Sequence, residues 1–111
     1  MKVNYERIKE ITGDDVEMIK TLISLYIDSF NKNIQDIESA LNTPNQNAEK
    51  IWHNAIHDLK GSSYNLGFTE LGDYCKKIEG KGITEAKKKE ILSEVKSVLL
   101  EVIDIYTKLD R

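Results

Sequence analysis

The sequence predicts an all-α fold: an antiparallel four-helix bundle with room for a short additional N-terminal helix. Three observations carry that expectation. Apolar residues recur in steps of three and four along nearly the whole chain, the spacing that lines one face of a helix. No run alternates apolar and polar residues between hairpin turns. The single proline, Pro44, falls in NTPNQN, Asn42 to Asn47, which separates two long periodic stretches and reads as a connecting loop. Amphipathic helices joined by short links pack most simply as an antiparallel bundle.

Each element has its own signals. Residues 3–11 are expected to add a short helix that caps the end of the bundle. Gly13-Asp14-Asp15 opens the first long helix, its carboxylates well placed near a helix N-terminus. That helix carries the stripe Ile19, Leu22, Ile23, Tyr26, Phe30, Ile34, Ile37 and Leu41. The next has Ala48, Ile51, Trp52, Ala55, Ile56, Leu59 and Leu66 on one side. Gly67 then suits a left-handed C-terminal cap, with Phe68 as the apolar contact such caps often have. A shorter helix starts at Thr69, buries Leu71, Tyr74 or Cys75, and Ile78, and ends at Gly80-Lys81-Gly82. From Thr84 the last helix is expected to bury Ile91, Leu92, Val95, Val98, Leu99, Val102, Tyr106 and Leu109.

Length and composition narrow the function. The 111 residues suffice for one hydrophobic core, and neither a repeat nor a composition shift divides them, so residues 1–111 read as one domain. A net charge of −3 with interspersed signs offers no footprint for nucleic acid. No stretch approaches the roughly 18 apolar residues that span a bilayer. The lone Cys75 has no internal disulfide partner, and MKVNYERIKE lacks an apolar signal core, so a reducing, cytoplasmic setting is expected. Met1 and the full domain length point to a free-standing chain, and the excess of Lys over Arg, 14 to 2, points to an AT-rich bacterial genome.

Chemistry concentrates in HNAIHDLKGSS, His53 to Ser63. On a wheel of about 100° per residue, Trp52, Ala55, Leu59, Ser63 and Leu66 share a sector, and His57 lies roughly 175° from its centre. Gly61 and Tyr64 fall near the same outer line, with Lys60 on the flank. His57 therefore faces solvent or a partner rather than the core. A lone surface histidine would look the same on the wheel, but His57 has Lys60 at i+3 and Gly61 at i+4. A cation and a cleared approach are what an imidazole nucleophile needs to meet another protein and hold a phosphoryl group. Taken singly, Lys60 could be a solvated lysine and Gly61 a helix stop.

HDLKGSSYNLG, His57 to Gly67, resembles the phospho-acceptor signature of histidine-containing phosphotransfer (Hpt) domains. The family pattern is roughly H-x-L-K-G-(S/A)-(S/A)-x-x-(L/V/F)-G, matched here at His57, Leu59, Lys60, Gly61, Ser62, Ser63, Leu66 and Gly67. The likeness runs upstream through GDDVEMIKTLISLYIDSF and downstream through LGDYCKKIEG. It implies a carrier rather than an enzyme. His57 would take a phosphoryl group, on Nε2, from an aspartyl phosphate of one receiver domain and pass it to another. The partners implied are receiver domains of response regulators and of hybrid histidine kinases. Lys60 would balance phosphoryl charge, and Gly61 would admit the receiver. Tyr64, Lys60, Gly61 and His53 would form the partner-binding face of a monomer that needs no cofactor. His57 lies ten residues before Gly67 and Glu79 twelve after, so an antiparallel pair would set Glu79 at nearly the same height on the neighbouring helix. There its carboxylate could accept from Nδ1–H; an exposed glutamate near a helix end is the alternative.

Other readings compete less well. His53 and His57 stand at i,i+4 like paired zinc ligands, but HNAIH lacks the glutamate of H-E-x-x-H and a third ligand is not obvious. Neither a P-loop nor a kinase Gly-rich loop occurs. A helical adaptor that binds partners without phosphotransfer would keep the bundle but has no use for His57, Lys60 and Gly61 together.

Overall fold

The computed structural model describes residues 1 and 3–109, and among these every regular element is helical. In chain order they are α1 (Tyr5–Thr12), α2 (Val16–Asn42), α3 (Ala48–Asn65), α4 (Thr69–Ile78) and α5 (Glu85–Leu109). The N-terminal helix expected over residues 3–11 forms at 5–12.

Local chemistry sets the boundaries. Gly13 ends α1 in the left-handed conformation, and the Asp15 side chain caps α2 by accepting from Met18 N–H at 3.1 Å. Gly13-Asp14-Asp15 thus closes one helix as well as opening the next. In the Asn42–Asn47 link, the Asn45 side chain accepts from Asn47 N–H at 2.8 Å, a local turn that asparagine favours. Between α3 and α4, Gly67 takes φ +78°. Its N–H donates to Tyr64 O at 3.0 Å, and Phe68 N–H donates to Ser63 O at 2.9 Å. Those two bonds define a Schellman cap. Phe68 drops into the core against Tyr26, ring centroids 5.2 Å apart. Thr84 Oγ1 accepts from Lys87 N–H at 3.2 Å at the start of α5.

α2 packs against α3 and α5, α3 against α4, and α1 against α2. One cluster of buried side chains joins them, with Ile23, Phe30, Ile56, Leu59, Cys75 and Val95 among its members. Of the apolar residues expected inside, Leu22, Leu41, Ala48, Ile51, Leu92, Tyr106 and Leu109 are only half-buried and pack against the cluster's edge. They belong to the right stripes but lie on the flanks, where helix cylinders diverge. Cys75, not Tyr74, is the fully buried one of that pair. α1 contributes Ile8 to the core and lays Arg7 and Ile11 over the α3–α4 turn at Gly67. Among the described residues, no helix is long and apolar enough to cross a membrane.

Candidate functional site

The site is the outward side of α3. Trp52, Ala55, Ile56, Leu59 and Ser63 are buried, which leaves His53, His57, Gly61 and Tyr64 exposed. Behind this face, the Ser63 hydroxyl meets the Tyr26 hydroxyl at 2.7 Å and ties α3 to α2 through a buried polar contact. Burial lifts the Tyr26 phenol well above its usual range. α3 runs through Gly61 to Asn65, so Gly61 is an interior helical residue and not a stop. A Cβ built on Gly61 would meet nothing within 4 Å.

Glu79 reaches the histidine. It is the residue that ends α4, in extended conformation rather than on the helix as its spacing suggested. From there its side chain turns back toward α3 and is only 16% exposed. One carboxylate oxygen bonds His57 Nδ1, and the other accepts from Lys60 Nζ at 2.5 Å. The Lys60 bond first, and the His57 bond second, hold the Glu79 carboxyl below its ordinary range. An ionised carboxylate can only accept. In the neutral ring the contact therefore places the hydrogen on Nδ1 and the lone pair on Nε2, in an imidazole side chain that is 65% exposed. One turn of α3 and the end of α4 are thus joined by a single carboxylate. That arrangement holds an imidazole in one tautomer and one orientation while its other nitrogen remains nucleophilic.

The remaining residues singled out from sequence separate around this centre. The His53 ring lies nearly parallel to that of His57, centroids 6.4 Å apart and planes 14° apart. His53 also lines a groove of about 400 Å³ with Trp52, Glu79 and the Gly80–Gly82 turn. Among the described residues, no group of three or more His, Cys, Asp and Glu side chains is placed to hold a metal ion. Tyr64 stays on this face and reaches across to α4, where its hydroxyl donates to Asp73 Oδ1 at 2.6 Å, a bond that pushes its pKa up to about 12. Gly72 and Asp73, the partners of Tyr64, were not found by sequence reasoning. The signal was present: the register that pairs position 57 with 79 also pairs 64 with 72. Cys75 lies within reach of the site's charges but is buried, and burial pushes its thiol up to about 12, which leaves it unreactive at neutral pH.

Compared with family models, residues 21–105 match that of the Hpt domain. Comparisons with curated proteins and with solved structures give no match. Hpt domains are phosphocarrier modules that serve histidine phosphotransfer in phosphorelays. The matched span takes in most of α2 and all of α3 and α4, with His57, Lys60, Gly61 and Glu79 inside it, and the chain belongs to the Hpt domain family.

Proposed function

We propose that the chain relays a phosphoryl group between aspartates of receiver domains through phospho-His57. It does so as one domain, an antiparallel bundle of α2–α5 with α1 packed at one end. The observation that carries this reading is the Glu79 carboxylate shared between His57 Nδ1 and Lys60 Nζ. Glu79 keeps the hydrogen on Nδ1, and the Nε2 lone pair attacks the phosphorus of the aspartyl phosphate. The Nε2–P bond forms as the P–O bond to the aspartyl oxygen breaks, and that electron pair leaves on the receiver's carboxylate. The Nδ1 hydrogen stays on the ring, facing Glu79, and the reverse step returns the group to a second receiver. Lys60 holds Glu79 and, with hydrogens to spare, balances charge on the phosphoryl oxygens. Gly61 leaves the approach open. The donor and the magnesium ion belong to the receiver, so the carrier needs neither ATP nor a cofactor of its own.

Exposure to a receiver domain charged with acetyl phosphate and magnesium tests this. The parent is expected to gain one phosphoryl group, about 80 Da, in a linkage labile to acid and stable to base, as a phosphoramidate is. His57→Gln is expected to gain none, and His53→Gln to transfer nearly as the parent does. An acid-stable adduct would overturn the assignment to His57, and a parent that binds receivers without gaining mass would leave a non-phosphorylated helical adaptor as the better reading.

A further inference from the structure

Among the described residues, Tyr64 is the one large exposed aromatic on the His57 face, 37% exposed, yet its ring is not free. It packs against α4 at Gly72, over the space a side chain there would fill. A Cβ there would stand 2.5 Å from Cε1 and 2.6 Å from Cδ1 of the tyrosine, closer than real side chains come. The far end of the ring is held by the hydroxyl bond to Asp73. Gly72 is interior to α4 and has ordinary helical φ, so the backbone does not require glycine. A helix-interior glycine costs stability relative to alanine, and here the absent side chain makes the seat for the ring.

The position of that seat matters. Tyr64 follows His57 by seven residues, two helical turns, which places it about 20° round and roughly 10 Å along the axis. Gly61, between them, adds no side chain. A standard protein interface covers about 800 Å² per partner, a patch of roughly 16 Å radius. A domain that brings its aspartate to His57 therefore covers Tyr64 as well. An aromatic ring already fixed at both ends loses little freedom when covered, which is the property of residues that dominate binding energy.

We propose that Tyr64 is a preset docking anchor for the receiver domain, seated by Gly72 and Asp73, and that it sets affinity for the receiver without taking part in phosphoryl transfer. The inference rests on the phospho-His57 reading above. The partner surface it fits is an apolar patch roughly 10 Å from the receiver's phospho-accepting aspartate.

Rapid-quench transfer from a phosphorylated receiver, labelling by phosphoramidate and thermal melts together test it. Tyr64→Ala is expected to raise KM for the receiver at least tenfold while kcat and the phosphoramidate rate hold. Tyr64→Phe keeps the ring and loses only the Asp73 bond, and is expected to raise KM about threefold. It also serves where Tyr64→Ala does not fold. Gly72→Ala displaces the ring and is expected to raise KM several-fold in the parent. In the Tyr64→Ala background it should raise KM no further, and there it should raise the melting temperature. A parental KM in both Tyr64 variants, an equal loss with phosphoramidate, or a Gly72→Ala penalty that persists without the ring would overturn the anchor, leaving Tyr64 a mere α3–α4 strap. A parent that takes phosphate from neither donor overturns the reading beneath it as well; one labelled by phosphoramidate with Tyr64-independent receiver transfer overturns the anchor alone.

Discussion

Gly61 gives the sharpest test because stability and function are expected to move in opposite directions. It is an interior residue of α3, and an added Cβ meets nothing within 4 Å. Neither strain nor overpacking opposes a side chain, so only the propensity difference remains, up to about 1 kcal/mol in favour of alanine. At about 2.1 cal/mol/K of unfolding entropy per residue, that raises the melting temperature of a domain this size by about 4 °C. Gly61→Gln should gain roughly half as much, since glutamine is a good but lesser helix former. Yet a glutamine at i+4 stands about 5–6 Å from the His57 Cβ and covers the imidazole. We expect receiver transfer to Gly61→Gln to fall strongly while phosphoramidate, which needs no docking surface, still labels His57. Gly67 is the internal contrast. It has φ +78°, and a Cβ there would stand 2.3 Å from Arg7 Cγ. Gly67→Ala is expected to lose at least about 1–2 kcal/mol through the left-handed backbone, and roughly 4–8 °C in melting temperature. Circular-dichroism melts and the two transfer assays read the halves separately. A destabilised Gly61→Ala, or a Gly61→Gln that exchanges phosphate with its receiver at the parental rate, would refute the reasoning.

Two further predictions concern the shared carboxylate. Lys60→Ala removes the larger of the two interactions that keep Glu79 ionised, so transfer should slow or phospho-His57 should turn over faster, at a stability cost below about 2 kcal/mol; unchanged rapid-quench rates in both directions would make Lys60 a bystander. For Glu79 the folded pKa lies below the unfolded value, so its contribution to stability is present above the unfolded pKa and is lost as pH falls through the folded one. The melting-temperature gap between the parent and Glu79→Gln should therefore be full near pH 7 and should narrow below about pH 4.5; a gap independent of pH would mean that the carboxylate's charge does not matter.

The helices and the direction of His57 were legible in the sequence because both are properties of a single helix. Once Trp52, Ala55, Leu59 and Ser63 are buried, 100° per residue turns His57 outward whatever the rest of the chain does. Caps are equally local: Asp15 and Gly67 act on backbone groups within a few residues of themselves. Contacts between helices are different, because they depend on rotation and rise set by packing, and an ångström decides whether two groups bond. Counting residues around Gly67 brought Glu79 to the height of His57. Only the packed structure showed that it lies past the end of α4 and bonds both His57 and Lys60. The same is true of Cys75 over Tyr74 in the core, and of the half-buried flank residues Leu22 and Leu92. Their stripes are fixed by periodicity, but their depth is fixed by how closely the neighbouring helix approaches. Gly72 is the plainest case: alone it reads as a flaw in α4, and it becomes a seat only when α3 lays Tyr64 across it.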